Sequence, residues 1–219
     1  MPDYTPLQQH AYDYLKEAII SEQLSPDEVY SESYFARKLN ISRTPVRSAL
    51  QRLSQEGYVD IFPSRGVIIH PLTETDITAM YQMRCAIESY CLIHFARDPD
   101  SRQTQELLAK LDASIARQKS CLDGNSAEYF THDCEFHRLI VSQLNNPWFD
   151  EAFQKFVQQL RLMTKKTMTA SERIKRSIHE HEQICQILRD GESTSVISWL
   201  LQHIAYPTQY MLEQIKNRA

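Results

Sequence analysis

The stretch 42–59, SRTPVRSALQRLSQEGYV, describes a helix whose two sides differ in chemistry. Val46, Ala49, Leu50 and Leu53 recur at i, i+3, i+4 and i+7, the spacing of a stripe that faces a core. Arg43, Thr44, Arg47 and Gln51 gather on another side. Ser42 stands where an N-cap belongs, and Pro45 falls in the first turn, where a missing N–H does no harm. Gly57 supplies the left-handed residue that ends such a helix. Two arginines one turn apart at a helix start present paired donor forks, suited to guanine O6 and N7 or to phosphate.

The flanks give that helix a setting. Leu7, Ala11, Leu15, Ala18 and Ile19 keep helical spacing, which predicts a helix over 5–22. Residues 25–28, SPDE, form a turn, and Ser31 caps a short helix through Leu39. Asn40 and Ile41 connect it tightly to the helix that starts at Ser42. After Gly57, YVDIF and VIIH read as two short strands joined by PSRG. Helix, helix, tight turn, helix and hairpin make a winged helix-turn-helix in outline, with the third helix entering the DNA major groove. Charge agrees with this reading. The whole chain carries a net charge of −4, yet residues 36–65 hold six bases (Arg37, Lys38, Arg43, Arg47, Arg52, Arg65) against two acids, Glu56 and Asp60. A compact positive patch in an acidic chain suits a site-specific DNA reader rather than a nonspecific binder.

The chain has 219 residues, 42% hydrophobic and 24% charged, which suits a soluble protein of one large domain or two small ones. Four glycines and few alternating stretches predict a mainly α fold. No apolar run approaches the roughly 20 residues that span a bilayer, and MPDYTPLQQH lacks the basic-then-apolar order of a secretory signal. The five cysteines are odd in number and form no CxxC pair, as thiols in a reducing cytoplasm would. The expectation is a cytoplasmic protein with no membrane partner. HPLTETD, 70–76, marks a junction between a DNA-binding domain at 1–71 and a second domain at 72–219. From 73 onward the chain reads as six helices, broken near 98–99, 123–125, 145–147, 168–169 and 190–191. There is no glycine-rich phosphate loop and no repeat.

Three of those helices carry polar residues on rows that should be apolar. Phe130, Asp133, His137, Ile140 and Leu144 share one face, as do Ile174, Ile178, His181, Cys185 and Leu188, and as do Val196, Leu200, His203 and Tyr210. A buried Asp133 without a partner is costly. One carboxylate and three imidazoles from three helices would satisfy one another around a divalent metal; a core histidine with a hydrogen-bond partner is the plainer alternative for any one of them. That donor set suits Zn²⁺ or Ni²⁺, with Mn²⁺ or Fe²⁺ as alternatives. No unassigned Glu or Asp stands at compelling spacing on the inward rows to serve as a general base. His179, in HEHE, lacks the spacing of a zinc-protease motif, and His132 points off its row; both are assigned to solvent or to an outer shell. Arg84 shares a face with Met80, Ile87 and Cys91, and needs an anion: a structural partner such as Glu88 or the carboxylate of a ligand.

SESYFARKLNISRTPVRSALQRLSQEGYV followed by SRGVIIHPL resembles the DNA-binding domain of GntR-family bacterial transcription regulators over residues 5–71. The resemblance implies operator contacts at Arg43, Thr44 and Arg47, a wing tip at Arg65 and Gly66, and a phosphate contact at Arg37. Where some relatives carry a basic residue just before the apolar positions of the second helix, this chain has Ser33. MYQMRCAIE, DCEFHRLIVSQLNNP, EHEQICQILRDGE and the late HI make residues 73–219 similar to the FCD effector domain of the FadR subfamily, in its six-helix, VanR-like form. Metal-binding members of that family ligate a cation through one Asp and three His, which fall here on Asp133, His137, His181 and His203. Some relatives lack that set and bind fatty acyl ligands. The resemblance also favours small organic acids or sugar acids as effectors, with Arg84 as a contact.

The expected protein is therefore a homodimeric, metabolite-responsive transcription regulator, a repressor on family analogy, reading a pseudo-palindromic operator in double-stranded DNA through two heads. It is not expected to be an enzyme. A metal-dependent hydrolase or lyase fused to a DNA-binding domain, and a DNA binder with a purely structural metal, are the rival readings.

Overall fold

In a computed structural model of the chain, residues 6–20, 23–26, 28–70, 73–122, 126–154 and 171–216 are described. The breaks read at 123–125 and 168–169, part of the turn at 25–28 and of the junction at 70–76, and the fourth C-terminal helix beyond 154 lie outside them. The chain divides into two compact units, Met1–Leu72 and Thr73–Ala219.

The first unit contains α1 (Pro6–Ile20), β1 (Val29–Tyr30), α2 (Glu32–Leu39), α3 (Arg43–Gln55), β2 (Val59–Phe62) and β3 (Gly66–Ile69). The predicted apolar row of α3, Val46, Ala49, Leu50 and Leu53, is buried; α3 packs on α1, whose Ala11 and Leu15 are buried, and on α2, whose Phe35 is buried. Burying side chains of the Leu or Phe class contributes about 1.5–3 kcal/mol apiece. Asn40 adopts the left-handed conformation (φ 52°), and the Ile41 N–H closes back on the Ala36 carbonyl at 3.0 Å, fixing the tight link from α2 to α3. Ser31 caps α2 as expected, accepting from the Tyr34 N–H at 3.0 Å. Ser42 takes the N-cap position of α3 but makes no side-chain capping bond. Pro45 occupies the third helical position, where the N–H that such a hydroxyl favours is missing. The Ser42 side chain is consequently exposed at the helix start.

The hairpin of β2 and β3 forms as read, with Ile61 opposite Val67. The two-residue β1, too short to leave a periodic signal, pairs antiparallel with β3 through Tyr30 and Val67, giving the order β1-β3-β2. Gly66 permits this closure. Its φ is 124°, and a Cβ there would lie 2.5 Å from the Tyr30 carbonyl oxygen and 2.8 Å from Val29 Cγ1.

The second unit is all helical among the described residues: α4 (Glu74–Ala96), α5 (Arg102–Ser120), α6 (Ser126–Ser142), α7 (147–154), α8 (Ser171–Arg189) and α9 (Ser193–Lys216). Thr73 opens α4 with a reciprocal capping box to Asp76. α4 packs along α9, α5 along α6 and α8, and α8 along α9. Most of the polar-interrupted rows hold. Phe130, Asp133, His137 and Ile140 are buried, as are Ile174, Ile178, His181, Cys185 and Leu188. Leu144 lies past the end of α6 and is half-buried. On α9 the row runs Val196, Leu200, His203, Pro207 and Met211, and Tyr210 is only half-buried. Pro207 sits inside the helix, four residues after His203, so it withdraws the helical donor from the His203 carbonyl. No helix among the described residues is long and apolar enough to cross a membrane.

Gly66→Ala should strain the wing and weaken the β1–β3 pairing, costing the first unit about 1–3 kcal/mol. Amide hydrogen exchange at Val67 and Ile69 measures it; unchanged protection would mean the glycine is dispensable.

Candidate nucleic-acid interface and metal centre

On the first unit, Arg37, Arg43, Thr44, Arg47 and Arg65 are exposed and Gly66 is half-buried. Arg37, Ser42 and Arg43 line an open groove at the α2–α3 turn with Ser33, Asn40 and Ile41. Arg47 donates from Nε and Nη2 to the two carboxylate oxygens of Glu32, both at 2.8 Å, and Arg43 Nη2 reaches the same carboxylate at 3.4 Å. The Arg47 hydrogen bond holds the Glu32 carboxyl below its usual pKa, so it is a charged acceptor that gathers both arginines. The sequence reading missed Glu32 because it lies across the turn from them, beyond the reach of helical periodicity. Arg52, counted in the positive patch, turns inward. Its Nε meets Glu56 at 3.1 Å, its Nη1 meets Gln9 at 3.1 Å, and its guanidinium lies 3.6 Å from the Tyr12 ring centroid.

On the second unit, Asp133 and His137 of α6, His181 of α8 and His203 of α9 converge. Each offers a ligand atom within 4.8 Å of the others, and all four side chains are buried. His203 Nε2 lies 3.1 Å from His137 Nε2 and 3.2 Å from His181 Nε2, and Asp133 Oδ1 lies 3.7 Å from His181 Nε2. Tyr129 Oη and Ser177 Oγ donate to Asp133 Oδ1 at 3.2 and 3.4 Å.

The opposite edge of each ring determines what those Nε2 atoms can do. His137 Nδ1 is 2.7 Å from Glu88 Oε2, and His203 Nδ1 is 2.8 Å from Glu180 Oε2. Burial pushes both carboxyls up, but Arg84 and His137 around Glu88, and His203 and Arg173 around Glu180, outweigh it and bring each to about 2. Both carboxylates are therefore acceptors, and the facing Nδ1 atoms carry the protons. His181 Nδ1 meets Gln118 Oε1 at 2.8 Å. The amide orientation of Gln118 is set by its Nε2, which donates to the His132 carbonyl at 3.3 Å, so Gln118 too presents an acceptor. Burial, with the neighbouring imidazoles adding to it, pushes the pKa of His181 well down; burial also lowers that of His203, against the pull of Glu180. With Nδ1 the donor in each of these hydrogen bonds, each Nε2 turns a lone pair toward the others. Three lone pairs and a carboxylate aimed at one point repel one another unless a cation lies between them. The donor set, its convergence and its outer hydrogen bonds therefore fit a divalent metal.

Two corrections to the sequence reading follow. Glu180 is an inward acid, at 2% exposure, beside Glu88, which the sequence reading had offered only as a partner for Arg84. Glu180 escaped notice because α8 is buried on two sides, with Ser177, Glu180, Ile184 and Ile187 forming a second buried row beside the one that carries His181. His132 is neither in solvent nor in the outer shell of the four converging side chains: its ring is 16% exposed and lies between Glu128 and Glu135. His179 is on the outside, as expected. Arg84 is buried and donates from Nε to Glu88 at 2.8 Å, so it joins the cluster through that carboxylate. Arg173 does the same through Glu180, at 3.1 and 3.2 Å, and lies over the Tyr206 ring.

The sequence matches the FCD domain over residues 79–206 and the description "Bacterial regulatory proteins, gntR family" over residues 7–69. It is 31% identical to an uncharacterised HTH-type transcriptional regulator of Agrobacterium vitis, across 60% of this chain and 77% of that protein. It is 25% identical to the HTH-type transcriptional repressor RspR of Escherichia coli, across 91% of this chain and 86% of that one. A GntR transcriptional regulator from Rhodococcus sp. RHA1 superposes with a TM-score of 0.75 at 22% identity, covering 95% of this chain and 99% of that chain. The metal-free FCD domain of another transcriptional regulator superposes with a TM-score of 0.54 at 16% identity, covering 67% of this chain and 99% of that chain. The matched domains and relatives are transcription regulators, not enzymes.

The depressed pKa values of His181 and His203 have a consequence for metal-stripped protein. The unfolded chain takes up these protons near pH 6.5 and the folded chain only at lower pH, so stability is greatest above about 6.5 and falls as pH drops below it. Urea unfolding of chelator-treated protein at pH 7.5, 6.5 and 5.5 should show that decline; a flat profile would mean the buried imidazoles are not neutral.

Proposed function

Since the FCD match spans more than half of the sequence, the chain belongs to the FCD-containing members of the GntR family of bacterial regulators, and on that premise we propose that it is a metabolite-responsive repressor whose second unit anchors a small carboxylate effector through a divalent metal. It is a DNA-binding transcription regulator through the first unit. The observation that carries the sensor reading is the convergence of three Nε2 lone pairs and the Asp133 carboxylate at one buried point.

On this reading Asp133, His137, His181 and His203 hold the ion, with Zn²⁺ or Ni²⁺ first and Mn²⁺ or Fe²⁺ as alternatives. When bound, the metal supplies a Lewis-acidic site with coordination positions for an effector oxygen. Charge supports an anion there. Glu88, Asp133 and Glu180 are nearly matched by the buried Arg84 and Arg173 and the surface Arg176, so a divalent cation leaves a positive excess that a small organic or sugar acid would balance. Among the described residues, Arg173 Nε and Nη2 have no hydrogen-bond partner, which adds donor capacity beside the cluster. A purely structural metal is the competing reading, since four protein ligands can close a tetrahedral site.

The first unit presents α3 to the major groove and the Arg65–Gly66 turn to the minor groove, with Arg37 on phosphate. Glu32 pre-positions Arg43 and Arg47 until guanine or phosphate replaces it. Two copies of this head, in a homodimer, match the two half-sites of a palindromic operator.

Arg43→Ala or Arg47→Ala should cost about 1–3 kcal/mol of operator affinity with the fold intact, whereas Arg37→Ala should weaken binding evenly across sequences and flatten its salt dependence. Unaltered operator binding by the Arg43/Arg47 double variant would remove α3 as the reading helix.

Untagged protein should contain a divalent metal by elemental analysis, and His137→Ala or His203→Ala should lose it while keeping helix content and DNA binding. Candidate small carboxylates should raise the melting temperature of loaded protein and release it from operator DNA, with both responses absent in the two variants and blunted in Arg84→Ala. Less than about a tenth of an equivalent of metal after reloading would overturn the metal site. Full loading without any carboxylate response would leave the metal structural.

A further inference from the structure

A second group of metal-ligating side chains lies apart from the four that converge on His203. Cys121 caps the end of α5, and Glu128 and His132 lie one turn apart on α6, across the α5–α6 connection. A thiol sulfur, a carboxylate oxygen and an imidazole nitrogen from these residues lie within 4.8 Å of one another. Two helices thus bring three different ligand types to one point, and two of those types, thiol and imidazole, prefer borderline-soft cations.

The immediate surroundings resemble an ion's outer shell. His132 Nε2 is 4.0 Å from Glu128 Oε1. His132 Nδ1 points the other way, to Glu135 Oε2 at 3.6 Å, and Glu135 is itself held by Arg117 at 3.2 Å. Nδ1 is buried yet makes no hydrogen bond; the carboxylate that would accept its proton stands slightly too far away. Binding at Nε2 would put the proton on Nδ1 and favour closing that gap, the arrangement in which a carboxylate orients a metal-bound imidazole. Tetrahedral coordination at ordinary Zn–S, Zn–N and Zn–O lengths separates ligand atoms by about 3.4–3.6 Å. The Nε2–Oε1 distance of 4.0 Å needs only a small movement of Glu128, whose side chain is 57% exposed.

We propose that Cys121, Glu128 and His132 form a second divalent-metal site, thiolate-bearing and suited to Zn²⁺, with its fourth position open to water. It is independent of the sensor reading above, because it shares no ligand with that cluster. On binding, the Cys121 S–H bond ionises, its sulfur lone pair goes to the metal, and the proton goes to solvent. Gln118 lies between the two clusters, accepting from His181 Nδ1 and donating to the His132 carbonyl. An ion that fixes His132 would therefore also steady the amide that orients His181.

Cobalt separates the two sites by colour, because only this one contains sulfur. Metal-stripped, reduced, full-length protein titrated with Co²⁺ should take up ions at both sites, and one of them should produce a sulfur-to-cobalt charge-transfer band in the near ultraviolet. Cys121→Ser should abolish the band and leave the other equivalent in place. Glu128→Gln and His132→Ala should weaken the band-forming event by at least about tenfold, the low end of what losing even an outer-shell partner costs. A saturated protein with no charge-transfer band, or a band that survives Cys121→Ser, would overturn the proposal. A band with only one equivalent bound would instead uphold this site and count against the Asp133, His137, His181 and His203 site.

Discussion

The three Nδ1 hydrogen bonds at the centre of the helical unit constrain everything around them. Glu88, Gln118 and Glu180 each present an acceptor to a histidine, from α4, α5 and α8 respectively. Those acceptors place the ring protons on the outside and turn three lone pairs inward. Were any one of them a donor instead, its imidazole could adopt the other tautomer and hydrogen-bond across the cluster, and the four side chains would no longer offer a set of converging lone pairs. The arginines serve the same end one step further out. Arg84 with His137 around Glu88, and His203 with Arg173 around Glu180, keep the two carboxyls ionised against burial that would otherwise protonate them. Five helices are thereby tied to one point, and a ligand that altered the coordination there would act on all of them together. Pro207 bears on the same region, since it frees the backbone carbonyl of His203 from its helical donor.

The DNA-binding unit shows the same principle at a smaller scale, with polar groups held ready by partners that are not themselves readers. Glu32 gathers Arg43 and Arg47 on the outer face of α3. Pro45 leaves the Ser42 hydroxyl without its usual cap bond, so that it faces the same groove as Arg37 and Arg43. Gly66 lets β1 close on β3, and the Arg65–Gly66 turn is held at one end of a three-stranded sheet.

Much of this was legible along the chain. The rows that bury Val46, Leu50 and Leu53, and those that bury His137, His181 and His203, follow from a 3.6-residue period that any helix must obey. Turn chemistry at Asn40, Gly57 and Gly191 marked where helices end. A candidate ligand set split across three helices could be read because each member interrupts an apolar row in its own helix. What was not legible depended on a second surface. Glu180 lies beside the row on α8 and is buried only because that helix packs against both α5 and α9. His132 looked like a solvent residue until the end of α5 covered it.

The sequence by itself determined the helices, the wing, the basic patch and the identity of four candidate ligands, because local periodicity and turn preferences act within about one or two turns of chain. The tertiary structure alone decided the tautomers, the charge state of Glu88 and Glu180, the inward turn of Arg52, and the meeting of Cys121 with His132. Some of these contacts join residues one turn apart, as Arg84 and Glu88 or Arg52 and Glu56 do, but their outcome depends on partners from other helices and on burial that strengthens each electrostatic contact by excluding water. A pattern within a single helix can suggest such a pair but does not encode its burial.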